Sequence, residues 1–404
     1  MAEVIGSPVF RGRRLALISM VVAVIGFVLL AIGLVVDPAR TWLSYLMAFA
    51  FVFTTAVGAL ILLMIGYAAN ARWMSVVRRT TEAVMLPLPA LVVLFIPLLF
   101  GIDALYPWHT PAATLPAHER EIFEHRSAFL NIPFFAIRAA VYFAVLLIAA
   151  RLLRGWSLRR DRDTDAPPPA DPVEALGRER RFASGMLPAV SLAFTFAVID
   201  WLMTLNGTWY SSMFPVALFG GGFLTAIAFV TVLTARTWRH HAGHTIITPN
   251  HFHALGRMLF AFLVFWAYCA FFQALLIQIA NKPEEVTFYL LRTSRMWAVF
   301  VWVLIIGHFA LPFFVLLPKA VKFRPAAMAL AGWWLIAMHL VDVYWLVIPS
   351  HVQGWLVFSW LDLAALAAVV GTSVAVAAWR HDGLPIIPVR DPFLADGAVY
   401  RSKL

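Results

Sequence analysis

Ten separate apolar runs, each 18 residues or longer, dominate this sequence and leave few folds open to it. About 20 residues rising 1.5 Å each cross a hydrocarbon core roughly 30 Å thick, so runs of this length are read as transmembrane helices. They fall near 15–36, 41–66, 82–101, 128–153, 182–205, 212–235, 252–280, 296–317, 326–348 and 357–379. The third holds Pro87, Pro89 and Pro97, which predicts a broken or shortened helix there. Composition agrees. Only 13% of the residues are charged and 62% are hydrophobic, at a mean hydropathy of +0.83. A soluble chain carries about 25% charged residues to face water, so this surface faces lipid. The expected fold class is an all-α polytopic membrane protein of about ten transmembrane helices.

Alternate ends of ten spans fall on two sides, which tests the count. One side collects 24 of the 31 Lys and Arg residues, among them Arg11, Arg13, Arg14, Arg72, Arg78, Arg79 and the arginines of the fourth-to-fifth linker. The other side has Arg40, Arg120, Arg126, Lys282, Arg292 and Arg295, and Arg138 alone lies inside a span. A miscounted span would scramble this bias. The positive-inside rule therefore puts both termini in the cytoplasm. The net charge of +10 marks a face that meets anionic lipid rather than nucleic acid. The first span is too long for a signal-peptide core and lacks a small-residue cleavage site, so it is expected as an uncleaved anchor. The linker RDRDTDAPPPADPVEALGRERR reads as a solvated connector, and the loop Asp103 to Ser127, with Trp108, His109, His118 and His125, as a cap on the far side.

Chemistry is constrained by what is scarce. The single cysteine, Cys269, excludes disulfide pairs and a four-cysteine metal or iron–sulfur site on this chain, and no C-x-x-C-H run attaches haem. No Walker, Rossmann or G-x-S-x-G pattern is present. The HHAGH stretch at His240, His241 and His244 reads as a solvated turn. Gly220, Gly221 and Gly222 in the sixth span permit close helix contact.

The informative residues are ionisable groups inside spans, where a charge at the centre costs roughly 2.5–3.5 kcal/mol. They are Arg138, Asp200, His308, Asp342 and Asp362, with His339 three residues before Asp342 and so on the same helix face. His339 and His308 are expected near the midplane, Asp342 one turn further out, and Asp200 and Asp362 nearer the outer surface. Gln273 and Gln278 add neutral groups, so spans seven to nine could line a polar track outward. Each has a structural reading beside the functional one. Arg138 pairs with an acid such as Asp200, His339 and Asp342 make a hydrogen bond, Asp362 snorkels to the interface, and His308 is a satisfied interior histidine. Taken together they point to a proton or substrate path.

Four segments carry a resemblance: FASGMLPAVSLAFTFAVIDWLMTLNGTWYSSMFPVA (182–217), TPNHFHALGRMLFAFLVFWAYCAFFQALLIQIANKPEE (248–285), HFALPFFVLLPKAVKF (308–323) and MHLVDVYWLVIP (338–349). They resemble the second NrfD/PsrC-like integral membrane subunit of alternative complex III, the ActF type, in a bacterial quinol:cytochrome c oxidoreductase. The resemblance implies two four-helix bundles, spans two to five (41–205, with a cytoplasmic linker 154–181) and six to nine (206–350). It implies flanking first and last helices within 1–40 and 351–404. It further implies a subunit without a redox centre, acting as scaffold and proton-conducting path in the bacterial cytoplasmic membrane. The implied proton-path residues are Asp200, His308, His339 and Asp342, and Asp362, Arg138 and Gln273 join them from the reading of the spans. Expected partners are a multihaem cytochrome c subunit, a periplasmic iron–sulfur subunit, a paralogous NrfD-like quinol-binding subunit, small membrane anchors and a cytochrome c oxidase. Haem c and iron–sulfur clusters belong to those partners, and quinone to the paralogue. Two alternatives stand beside it: that this chain binds the quinol itself, or that it is a secondary transporter with a midplane site.

Overall fold

The computed structural model describes residues 9–109, 117–163, 169, 171–207, 209–239, 246–352 and 358–402, the side chains of 117–120 and 284 excepted. Among the described residues no strand forms, and the extended pairing is one isolated bridge between Val9 and Pro385. Ten helices are long and apolar enough to cross a membrane: α1 (Arg13–Val36), α2 (Pro38–Ala68), α3 (Arg78–Phe100), α4 (Ile132–Arg162), α5 (Gly177–Leu205), α6 (Met213–Trp238), α7 (Pro249–Ala280), α8 (Trp297–Leu316), α9 (Pro325–Ser350) and α10 (Trp360–His381). The chain is thus an all-α polytopic membrane protein. All ten apolar runs became helices, and several extend past their apolar segment. α4 has 31 residues, about 46 Å of helix, so its arginine-rich last turns stand beyond the hydrocarbon.

The third span is interrupted, as its prolines require. It divides into Arg78–Met85, Leu88–Phe95 and a 3-10 turn Ile96–Phe100. Pro87 and Pro89 lack the N–H groups that would bond back to Ala83 and Met85, and the ladder fails between them.

Helices α2 to α5 pack as one group and α6 to α9 as another, with α2 against α6 joining the two. α1 and α10 pair along their length on the flank, and α10 also lies against α2. α2 is therefore buried almost throughout, whereas α1 turns Leu17, Val21 and Val24 outward. At the α2–α6 crossing a Cβ on Gly222 would stand 2.6 Å from the Thr54 carbonyl oxygen. Only glycine lets two backbones approach this closely, and in lipid that contact replaces the hydrophobic drive that soluble helices have.

One end of the bundle gathers the basic residues, and there the carboxy-terminal segment folds back. Phe10 N–H donates to the Leu384 carbonyl at 2.9 Å, so the segment before α1 meets the turn after α10. Arg78 pairs with Asp391, Arg72 with Asp396 at 3.0 Å, and His251 Nε2 bonds the Gly397 carbonyl at 3.0 Å. The linker RDRDTDAPPPADPVEALGRERR, expected as a solvated connector, is exposed at Asp163, Asp171 and Glu174 but helical and ion-paired at its two ends. α4 continues to Arg162 and α5 begins at Gly177. Arg79 donates to Glu82 and to Asp161 at 2.5 Å each, and Arg160 pairs with the buried Glu179. The reason is that Arg78 and Arg79 open a buried helix and need carboxylates, which linker and tail supply. His240, His241 and His244 lie outside the described residues.

At the far end a helix not foreseen in the sequence, Pro283–Thr293, fills the connection between α7 and α8. It brings Arg292 inside, where Nη2 donates to the Leu346 carbonyl at 2.6 Å and to Ser350 Oγ at 3.0 Å.

Candidate functional site

Where α2, α6, α7, α8 and α9 converge, four side chains form a polar cluster in the interior. His339 on α9 is fully buried, and its Nε2 lies 3.0 Å from Thr54 Oγ1 on α2. The Thr54 hydroxyl gives its one proton to the Ala50 carbonyl at 2.8 Å, so it accepts from His339 and fixes the Nε2–H tautomer. His339 Nδ1 then carries a lone pair. It faces Asp342 Oδ2 at 3.9 Å, too long for a hydrogen bond, and has no other partner.

Asp342 is held from α7: Trp266 Nε1–H donates to Oδ2 at 3.0 Å. The other face of the same indole stacks on His308, with ring centroids 3.8 Å apart and planes 27° from parallel. His308 is fully buried, and among the described residues both its ring nitrogens are without hydrogen-bond partners. It sits in a π-helical stretch, Leu304–Ala310, inside α8. Pro312 explains that stretch, because it has no N–H for the His308 carbonyl and its ring crowds that oxygen; widening the turn relieves both. Gly221 on α6 completes the site by leaving room for the imidazole.

The remaining candidates are placed elsewhere. Arg138 meets Asp200 through two bonds, Nε to Oδ2 at 2.7 Å and Nη2 to Oδ1 at 3.1 Å, and Tyr142 adds a third at 2.8 Å. Arg138 also donates to the Phe129 carbonyl at 2.6 Å, between the rings of Phe129 and Phe134. Every strong donor and acceptor in this group is used. Asp362 does not snorkel. It is buried in the capping box that opens α10, accepting from Ser359 N–H at 3.0 Å, Arg40 Nη2 at 2.5 Å, Ser44 at 2.7 Å and Tyr344 at 3.1 Å. The reason is Arg40, which α2 brings to a depth where only a carboxylate can balance it.

Gln273 lies on the buried stripe of α7 two turns beyond Trp266, whereas Gln278 is exposed and turns away from the interior. His109 pairs with Asp103, His125 is exposed, and the side chain of His118 lies outside the described residues. The polar track therefore narrows to the His308–Trp266–Asp342–His339 cluster.

Thr54, Trp266, Tyr289 and Arg292 were not foreseen. Tyr289 and Arg292 sit on the unforeseen helix, and Tyr289 lies within electrostatic range of both Asp342 and Arg292. Burial raises the Tyr289 hydroxyl above its ordinary pKa of 10 against the lowering effect of Arg292, so it stays a protonated donor. Burial lowers Arg292 to about 9, which leaves it cationic at neutral pH. The Leu346 carbonyl that Arg292 binds lies one turn beyond Asp342 on α9. The sequence signal was the amphipathic pattern of PEEVTFYLLR, which reads equally well as a loop.

Among the described residues no three His, Cys, Asp or Glu side chains are arranged to hold a metal ion. No protein-family model matches the chain, and no curated protein sequence matches it.

Proposed function

We propose that this chain is an integral subunit of a bacterial quinol-oxidising electron-transfer complex of the alternative complex III kind, carrying no redox centre and moving protons through its second bundle. The observation that carries the proton role is the pair His339 Nδ1 and Asp342 Oδ2: two proton acceptors face one another in the bundle interior. Two facing lone pairs repel unless a proton lies between them. The pair therefore holds one proton, on the carboxyl or on the imidazole, and closing by less than 1 Å would make the bond that passes it. Ion-paired carboxylates such as Asp200 and Asp362 lack that freedom. Trp266 connects the pair to His308, and Arg292 binds α9 one turn further toward the far end.

The membership in a complex rests on the resemblance of 182–217, 248–285, 308–323 and 338–349. The arginine-rich end then faces the cytoplasm, the far end with Tyr289 and Arg292 the periplasm. Electrons run through the multihaem cytochrome c and iron–sulfur partners, and quinol is oxidised at the paralogous subunit.

Purification of the tagged chain from its own membranes in mild detergent tests the reading. Haem-staining polypeptides and iron should come with it. A chain that emerges alone and exchanges a solute across vesicles would make it a transporter instead, and quinone extracted from the isolated chain would make it the quinol-binding subunit.

A further inference from the structure

A cavity of about 310 Å³ opens between the interrupted α3 and the arginine-rich turns of α4, at the basic end of the bundle. Its floor is apolar, with Leu86, Pro89 and Leu147, and its rim carries Arg151, Arg154 and Arg380, with no carboxylate in the lining. The helix break at Pro87 and Pro89 is what opens it, since an unbroken α3 would carry its side chains on past this point. Arg154 is 6% exposed, and its Nη1 has no hydrogen-bond partner. The Glu82 oxygen facing it, at 3.8 Å, already accepts from Arg79 at 2.5 Å. Among the described residues Arg151 and Arg380 make no ion pair, and each repels the other. Gly155 also lines the cavity, and a Cβ there would touch nothing within 4 Å, so the helix leaves this space open.

Three guanidinium groups, one buried with a free donor, raise the free energy of an empty cavity. A small anion would answer the charge but leave the apolar floor wet. A molecule with a phosphodiester at headgroup depth and a hydrocarbon tail answers both. We infer that this cavity binds one anionic phospholipid, its phosphate held by Arg151, Arg154 and Arg380 and an acyl chain lying on Leu86, Pro89 and Leu147. This does not depend on the proposed function, only on the chain spanning a bilayer.

The test is native mass spectrometry of the full chain, in whatever assembly it purifies with, stripped of lipid and titrated with phosphatidylglycerol or with phosphatidylcholine of the same acyl chains. Phosphatidylglycerol should bind about tenfold tighter at this site, given the worth of each cation near an anionic headgroup. Arg151→Gln with Arg380→Gln should abolish that preference, and Gly155→Leu should weaken both lipids by filling the cavity with all charges kept. Arg239→Gln with Arg324→Gln, exposed basic residues elsewhere, should change nothing. Retained preference in the first pair, or equal loss in the control pair, overturns the inference. So does displacement of phosphatidylglycerol by millimolar inorganic phosphate, which would make this a small-anion site.

Discussion

A Cβ on Gly221 would stand 2.8 Å from Nδ1 of His339, so the imidazole occupies space that only glycine leaves. The third glycine of the run, Gly222, spaces the two bundles, and Gly221 beside it serves the polar cluster. Gly221→Ala should push the ring off its contact with Thr54 or away from Asp342. Overpacking of this kind costs about 1–3 kcal/mol. A lowered unfolding midpoint together with reduced proton-coupled turnover of the purified complex is expected; normal values of both would mean that the ring is not held where it lies.

Asp342→Asn separates proton handling from packing. The amide oxygen can still accept from Trp266 Nε1, and the volume hardly changes, so the chain should fold and, on the proposed function, still bring haem-staining polypeptides with it. The amide cannot take up or release a proton, however, and His339 loses the group that shares one with it. Proton release by the reconstituted complex should fall at least tenfold while haem content stays normal. Wild-type acidification by the mutant would end the relay reading.

Arg138 and Asp200 make the opposite prediction. They are joined by two bonds and enclosed by Tyr142 and two phenylalanine rings, which is the geometry of a fixed structural pair. Removing one partner leaves a buried charge alone, so Arg138→Leu should destabilise the chain by about 3–5 kcal/mol. Arg138→Leu with Asp200→Leu should recover most of that loss, because no lone charge remains. Unfolding in detergent measures both. If Asp200→Leu alone left stability intact and stopped proton movement, Asp200 would belong with the path after all.

Helix count was legible because the hydrocarbon core imposes length and apolarity on each span, and the basic residues punctuate them. The interruption of α3 was legible in its prolines. Pairing was harder. Arg138 and Asp200 both stood out as intramembrane charges, but the pairing of Asp362 was missed because Arg40, at the start of α2, was counted only among the basic residues of the far side. The same error hid the buried ion pairs of Arg78, Arg79 and Glu179, since charged segments next to spans look solvated in a sequence whichever way they fold. The cluster was half visible. His308, His339 and Asp342 declared themselves by charge, whereas Trp266, one of sixteen tryptophans, and the Thr54 hydroxyl carry no mark until helices are placed side by side.

The junction of the segment before α1 with the turn after α10 gives a pH prediction whose sign can be worked out. Gly12 N–H donates to Asp382 Oδ1 at 2.7 Å and Arg13 Nε to Oδ2 at 3.0 Å. The Gly12 amide holds the Asp382 carboxyl below its ordinary 3.8; desolvation opposes it, and Arg13 adds to the lowering. A carboxyl whose folded pKa is depressed adds stability that is complete above the unfolded value and is lost as pH falls through the folded one. Because Arg13 is open to solvent and Asp382 only partly buried the effect is local: α1 should loosen from the turn after α10, with the bundle intact. Hydrogen exchange at Gly12, corrected for the intrinsic rate, should show protection at pH 5 that is lost only once the pH has fallen below the ordinary 3.8. Asp382→Asn should lack that protection throughout. Equal protection in wild type and mutant at pH 5 would mean that the Val9–Pro385 bridge and the Phe10 bonds hold the junction without the carboxylate.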